Sequence, residues 1–156
     1  MKKSIAISLV VLAAVSAAAG CCPCRFSARY AKPLEGTVWH LQQLRGNDVS
    51  FADSLFNVTF GSDGRLSGIG ACNRFTAEWS ATDKRALNVG TIASTRMYCP
   101  NADSEQTMFS ELDAATHYEI DADMLLLLNN GEIRAIFKAQ DNGDDQPSKK
   151  SRRRSK

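Results

Sequence analysis

A chain of 156 residues has the length of one domain, since typical domains run about 100–200 residues. It is 44% hydrophobic and 23% charged, the composition of an ordinary globule, and only 8% aromatic, so its core rests largely on aliphatic side chains. Nineteen basic against seventeen acidic residues leave a formal charge of +2; this excludes a chain held open by self-repulsion and argues against a whole-protein nucleic-acid binder.

Residues 1–20 read as a signal peptide. Lys2 and Lys3 precede an apolar run from Ile5 to Ala19, broken only by Ser8 and Ser16. That run is short for a hydrocarbon core of about 30 Å and matches an export segment of roughly 7–15 apolar residues followed by small ones. Two processing sites compete. Ala17-Ala18-Ala19 has the small-x-small pattern of ordinary secretory cleavage, whereas Ala18-Ala19-Gly20-Cys21 is similar to the lipobox of bacterial lipoproteins, in which the cysteine is acylated and becomes the new N-terminus. Cysteine arithmetic favours the lipobox. With Cys21 acylated, Cys22, Cys24, Cys72 and Cys99 remain, an even set suited to an oxidising compartment, and ordinary cleavage would leave an odd thiol. A palmitate-type diacylglyceryl group plus an amide-linked chain would anchor the domain stably. The expected location is the bacterial cell envelope, lipid-anchored at the outer membrane. Residues 21–33 then form a tether with prolines at 23 and 33 and no sustained periodicity. Cys21-Cys22-Pro23-Cys24 is too closely spaced for structural zinc, so no metal is expected there; a Cys22–Cys24 disulfide, pairing between molecules and further acylation stay open.

The folded unit is expected over residues 34–139, mostly as short strands separated by turn chemistry. Thr37 to Leu44 places Trp39 and Leu41 on one face with Thr37 and Gln43. Phe56, Val58 and Phe60 alternate inward. Gly61-Ser62-Asp63-Gly64 is a hairpin loop, from which Arg65 to Gly70 returns. Phe75, Ala77 and Trp79 alternate in the next strand, and Thr82-Asp83-Lys84 turns the chain into Ala86 to Val89. A helix is predicted between Ala102 and Ala115, with Asp103 and Glu105 suiting its N-terminal dipole and Met108, Phe109, Leu112 and Ala115 on one stripe. Strands come next at His117–Ile120, Met124–Leu128 and Glu132–Lys138, the last two joined by Asn129-Asn130-Gly131, a strong hairpin signal. The apolar run Leu125 to Leu128 predicts a strand buried on both faces, and Ile133, Ala135 and Phe137 are the inward set of the last strand. About eight short strands and one α-helix make the fold mainly β (α+β), a curled antiparallel sheet or partly open β-barrel.

Residues 140–156 hold no large apolar side chain and are read as a disordered basic tail. Without Lys2 and Lys3 the basic count equals the acidic count of 17; residues 21–140 carry 11 basic and 14 acidic groups, net −3, and residues 141–156 carry 6 and 3, net +3. Such a tail is drawn to anionic headgroups, although a simple solvated tail is the plainer reading.

The stretch Gly68-Ile69-Gly70-Ala71-Cys72-Asn73-Arg74-Phe75, with Gly36-Thr37-Val38-Trp39-His40-Leu41 before it and Ser94-Thr95-Arg96-Met97-Tyr98-Cys99 after it, resembles the META/HslJ family of small domains. The family pattern continues with a helix that appears here as Glu105, Phe109 and Leu112; Ala71 stands where the pattern has glycine. Trp39, Gly70, Cys72, Asn73 and Phe75 are the motif residues carried over. The resemblance covers about residues 34–139 and implies a small antiparallel β structure with one helix, in a family of stress-linked or secreted proteins.

Cys72 and Cys99 stand in two of those motifs, and in an exported domain the plain reading is a disulfide between strand ends, worth about 3–4 kcal/mol on the chain-entropy model; two buried free thiols is the alternative. A catalytic cysteine needs a paired base, and the only histidines, His40 and His117, fall in strand patterns where a surface or satisfied role is commoner. Gly68-x-Gly70 lacks the third glycine of a dinucleotide loop and precedes a strand, so these glycines are read as serving tight turns or close strand approach. Asn73 is expected to bond local backbone in its turn. Ser94 to Cys99 has two readings: an ordinary loop with Met97 packed into the core, or an exposed, disulfide-held loop presenting Arg96 or Met97 to a protease.

The carboxylates are scattered and no pair has a context for acid–base work, so no enzyme, catalytic residue, metal or cofactor is expected. The reading is a non-enzymatic envelope lipoprotein acting as a stress-response or envelope-assembly binding module. Its expected partners are the membrane, through the lipid, and an envelope protein, with no nucleic acid. The alternative is an outer-membrane lipoprotein that inhibits proteases through the Arg96 loop.

Overall fold

A computed structural model describes residues 30–52 and 54–140. The segment expected to be a signal peptide, residues 1–20, with Cys21, Cys22, Cys24 and residues 141–156 of the expected basic tail, lies outside the described residues. Among the described residues no helix is long and apolar enough to cross a membrane.

The chain forms β1 (Val38–Leu44), β2 (Asn47–Asp48), β3 (Asn57–Phe60), β4 (Arg65–Ile69), β5 (Arg74–Ala81), β6 (Leu87–Val89) and β7 (Ala93–Ser94). It continues with α1 (Ala102–Asp113), β8 (His117–Asp121), β9 (Met124–Asn129) and β10 (Glu132–Ala139). The eight strands expected from alternation form one antiparallel path, β6-β5-β4-β3-β1-β10-β9-β8. The two-residue strands β2 and β7, too short to show a period, pair with β1 and β5 off that path. The sheet curls until its two end strands touch: Ala86 bridges His117, Leu87 N–H donates to Thr116 O at 2.8 Å, and Tyr118 N–H donates to Arg85 O at 3.1 Å. The ladder goes no further, so the barrel is not closed.

Turn chemistry sets the hairpins. Asn130 and Gly131 both take positive φ, 50° and 85°, the twist that a two-residue hairpin between β9 and β10 requires. The enclosed core holds Trp39, Phe56, Val58, Phe60, Leu66, Leu125, Leu127 and Phe137, all fully buried, and α1 packs Met108, Phe109 and Leu112 onto it beside β6 and β10. Phe75 meets Phe109 at 4.9 Å between ring centroids, and Phe60 meets Trp79 edge-on at 5.0 Å.

Three expectations about faces change, two of them because a β-bulge adds one residue and flips the residues beyond it to the other face. In β1 the register shifts between Leu41 and Gln43, so Leu44 rather than Gln43 turns inward. In β10 the register shifts between Ile133 and Ala135. Ile133 is therefore 44% exposed instead of core, whereas Ala135, Phe137 and Ala139 are buried. In β9 only Leu125 and Leu127 are fully buried, and Leu126 and Leu128 are half-buried on the outer face. Phe56, read as strand, has φ 49° with its ring stacked on Phe51 at 3.7 Å, so β3 begins one residue later.

Candidate functional site

The family-motif residues meet at one end of α1. The β4–β5 turn closes through Gly70 N–H to Asn73 O at 2.8 Å. Glu105, in the first turn of α1, is not the solvated dipole partner its position implies: it is 5% exposed and reaches back into this turn. Its Oε2 accepts from the backbone N–H groups of Cys72 at 3.2 Å and Asn73 at 3.0 Å, and its Oε1 accepts from the Asn73 carboxamide. Burial raises the Glu105 pKa, but the Asn73 amide and the N–H groups of Asn73, Cys72 and Ala71 outweigh it, and the carboxyl is held below its ordinary value. It is a fixed anion, not a proton donor.

The glycine at 70 is required by this packing. A Cβ there would overlap Glu105 Oε2 and lie 2.6 Å from its Cγ. At Gly68 a Cβ would overlap Asn57 O and lie 2.8 Å from the Phe75 ring, the close strand approach read from the sequence. Ala71 does not take a positive φ, so a side chain fits where the family pattern carries glycine.

Asn73 is buried, and its side chain bonds to distant segments rather than to the backbone of its own turn. Its Oδ1 accepts from Met97 N–H at 2.7 Å and Thr95 Oγ1 at 2.9 Å, and its Nδ2 donates to Met97 O at 3.2 Å as well as to Glu105. The expectation of a turn bond fails because Glu105 already satisfies the turn's own N–H groups, which frees the carboxamide to face the 95–99 loop. Pairing of β7 with Phe75 and Thr76, and Thr95 N–H donating to Arg74 O at 3.0 Å, delivers that loop to Asn73. Cys99 closes it with a disulfide to Cys72, 27 residues away in sequence; the bridge joins the β4–β5 turn to the approach to α1, not two strand ends.

Between these anchors the side chains point outward. Met97 is 57% exposed and Tyr98 96%, and Arg96 is exposed too, so Met97 is not a core residue. Short loops whose backbone is tied down cannot turn every residue inward, which periodicity does not reveal.

The ligand atoms of Cys72, Cys99 and Glu105 lie within 4.8 Å of one another, but the sulfurs are bonded together and offer no thiolate. His117 is exposed with Nδ1 on Thr116 Oγ1 at 3.1 Å, and His40, expected to be solvated or satisfied, has a buried Nε2 with no hydrogen-bond partner among the described residues. An open groove of about 640 Å³ runs beside β5, lined by Asp63, Arg65, Thr76, Glu78, Trp79 and Thr91 among others; its mixed lining is more polar than the mostly apolar pockets that hold small ligands.

A second buried carboxylate, unread from the sequence, sits further along α1. Glu111 is 3% exposed and accepts from Arg134 Nε at 2.9 Å and from Arg45 Nε. The Arg134 hydrogen bond foremost, then Arg45, hold its pKa below the ordinary value against the effect of burial. The β10 bulge that exposes Ile133 also places Arg134 there.

A family model described as META domain matches residues 32–142. No curated protein matches the chain. Among solved structures, an NMR structure of a protein from Burkholderia xenovorans is 22% identical over 69% of this chain and 84% of that one, with a TM-score of 0.56. A second NMR structure is 23% identical over 67% and 89%, with a TM-score of 0.54. A crystal structure of a DUF4847 family protein from Bacteroides vulgatus is 26% identical over 53% and 57%, with a TM-score of 0.46. The two NMR structures share the fold with this chain.

Proposed function

The chain belongs to the META domain family, and we propose that it is a non-enzymatic binding module of the bacterial cell envelope. Cys21 carries the lipid that holds it at the outer membrane, and the 95–98 loop docks an envelope protein in a stress-response or assembly role. One observation carries this reading: Met97 and Tyr98 are exposed on a backbone that Asn73 and the disulfide fix from both sides. Two adjacent large side chains left out of the core supply apolar area for a contact, and tyrosine is enriched among residues that dominate binding energy. Fixing the backbone beforehand lowers the ordering cost of association.

A photo-crosslinker placed at residue 98 in the native host tests it. The reading predicts a discrete adduct from position 98 that is absent from position 119, on exposed β8, and that weakens in a Cys72→Ser/Cys99→Ser variant. Equal adducts from both positions contradict it. Lipidation is tested by intact mass: acyl mass on wild type and none on Cys21→Ala.

The same rigidity supports a second reading, protease inhibition through the Arg96 loop, since inhibitors dock with little backbone movement.

A further inference from the structure

We propose that Lys149, Lys150, Arg152, Arg153, Arg154 and Lys156 form a second membrane contact, which binds anionic lipid headgroups. This contact and the lipid on Cys21 hold the same end of the domain, so the 95–98 loop faces away from the bilayer. The assignment of the cationic run stands by itself. The orientation rests on the reading of Cys21 as the acylated residue and goes beyond it by naming the end of the domain that looks at the membrane.

The chain enters and leaves the domain beside one turn. Lys32 N–H donates to Ala122 O and Ala139 N–H to Asp123 O, each at 2.8 Å. Two successive residues between β8 and β9 thus hold both the segment that leads in and the strand that leads out. Gln140 N–H then donates to Val38 O at 2.8 Å, at the start of β1. Every neighbour on the sheet path is antiparallel, so the turns alternate between the two ends of the sheet. The β3–β4, β5–β6 and β8–β9 turns share the end where the chain enters and leaves; Glu35, on the way in, bridges Phe60 at the end of β3. The β4–β5 turn lies at the other end, with Cys72 and, through the disulfide, the 95–98 loop.

Charge identifies the ligand. Residues 149–156 hold six cations and no carboxylate, and an anionic bilayer strengthens binding by roughly fivefold for each cation near its surface. The end of the domain beside this run has no such bias. Lys32, Lys84 and Lys138 stand there among Glu35, Asp83 and Asp123, and Lys138 already pairs with Asp123 at 3.7 Å. Isolated exposed ion pairs with such carboxylates stabilise little. The domain's own surface is therefore a poor competitor for a run that a bilayer meets with many headgroups at once.

Reach decides whether the two contacts act together. Lys32 follows Cys21 by 11 positions and Lys149 follows Gln140 by 9, at most about 40 Å and about 30 Å of chain. Both spans start beside the β8–β9 turn. A lipid that brings Lys32 to the bilayer therefore brings the cationic run there too and raises its effective concentration against the headgroups. A run leaving from the opposite end would have the whole domain between it and the bilayer. With both contacts at one end the domain stands with the β8–β9 turn toward the headgroups. Met97 and Tyr98, exposed at the other end, are then presented to a partner in the aqueous space.

The test uses the full chain carrying Cys21→Ala, which cannot be acylated there. It is compared with the same chain carrying also Lys149→Gln, Lys150→Gln, Arg152→Gln, Arg153→Gln, Arg154→Gln and Lys156→Gln. Co-sedimentation with phosphatidylcholine vesicles, with or without phosphatidylglycerol, measures binding; adsorption through residues 1–20 is common to both chains and cancels in the comparison. The proposal predicts binding at least about 100-fold tighter to the anionic vesicles, the yield of three of the six cations at about fivefold each. That gain weakens with added salt and is lost with the six substitutions. Equal binding to the two vesicle types, or an anionic gain that survives the six substitutions undiminished, overturns the assignment. The six positions lie outside the described domain, so thermal unfolding should be the same for both chains. A lower Tm for the substituted chain, with no vesicle binding by its parent, places the run on the domain's own carboxylates and also overturns it. For the orientation, a photo-crosslinker goes at position 84 or 98, both exposed, in the acylated wild-type chain on vesicles containing phosphatidylglycerol. Lipid adducts from 84 and none from 98 are expected; equal adducts, or adducts from 98 alone, overturn the orientation and leave the cationic run standing. Absence of acyl mass on Cys21 defeats the lipoprotein reading and the orientation with it, and the vesicle comparison then decides the cationic run separately.

Discussion

Replacing Glu105 by glutamine changes one oxygen to an amide nitrogen and almost no volume, so it isolates the charge and its hydrogen bonds. Oε2 faces the N–H groups of Cys72 and Asn73, and Oε1 faces the Asn73 carboxamide nitrogen. Glutamine has one acceptor for these two directions. With its oxygen on the backbone N–H groups, its own –NH2 faces Asn73 Nδ2, donor against donor. Flipping Asn73 relieves that clash but turns Nδ2 toward Met97 N–H and Thr95 Oγ1, the groups Oδ1 now serves. Either way one charge-assisted hydrogen bond is lost, worth about 1.5–3 kcal/mol, and a buried donor is left unpaired at about 1–3 kcal/mol. Partial relaxation and residual hydration bring the expected loss to about 2–4 kcal/mol. For a domain of this size that lowers Tm by about 10–15 °C at neutral pH. Urea unfolding at pH 7 measures the loss, and repeating it in acid measures its origin. Glu105 has a lowered pKa, so its stabilisation is full above the ordinary glutamate value of about 4.5 and is lost as pH falls through its lower native value. The gap between wild type and Glu105→Gln should therefore narrow in acid. A variant within about 1 kcal/mol of wild type at pH 7, on the scale of one ordinary hydrogen bond, refutes the assignment of Glu105 as the anion that holds this turn.

Four further outcomes rest on the same packing. Gly70→Ala, by forcing Glu105 from the position where a Cβ would touch it, should cost about 1–3 kcal/mol in chemical denaturation. Glu111→Ala leaves Arg134 with only the exposed Glu132 carboxylate, 3.2 Å from its Nη1, as an ionic partner and should cost about 2–3 kcal/mol, below the full figure for a buried pair because Arg45 and Arg134 are 50% and 26% exposed; wild type should shed this contribution below the ordinary glutamate range, and the variant should not. Cys72→Ser/Cys99→Ser removes a bridge between residues 27 apart and should cost about 3–4 kcal/mol, read from urea midpoints. Asn73→Ala should cost about 2–4 kcal/mol by calorimetry, because it strips the loop backbone and Glu105 of hydrogen-bond partners together.

Alternation and turn chemistry were enough to place the long strands. Phe56, Val58 and Phe60, or Phe75 and Ala77, repeat every second residue because one face is buried, and Asn130-Gly131 makes a tight hairpin. Bulges defeat that logic. The extra residues at Gln42 and Arg134 leave no mark in composition yet reverse which side of Ile133 and Leu44 meets the core. Two-residue strands such as β7 span a single period, too little to show a pattern, and are set by their partner. The site was half visible. Cys72, Asn73, Cys99 and Glu105 stood out as motif residues, but Glu105 also read as a partner of the helix dipole and Glu111 was not singled out, since a buried carboxylate is recognisable only through its donors. Those donors lie far along the chain: Cys72 and Asn73 are 33 and 32 positions from Glu105, and Arg134 and Arg45 are 23 and 66 positions from Glu111. Only the folded sheet brings them to α1.

A docking role for residues 95–98 requires a loop whose backbone is set before any partner arrives. Backbone NMR relaxation at Arg96, Met97 and Tyr98 measures this most directly. Wild type should show order parameters near the rigid value of about 0.85 together with slow exchange of the Met97 amide, and Asn73→Ala should fall below about 0.6 at those residues while β3 and β4 stay rigid. A wild-type loop already below that lower value, with a fast-exchanging Met97 amide, would contradict it.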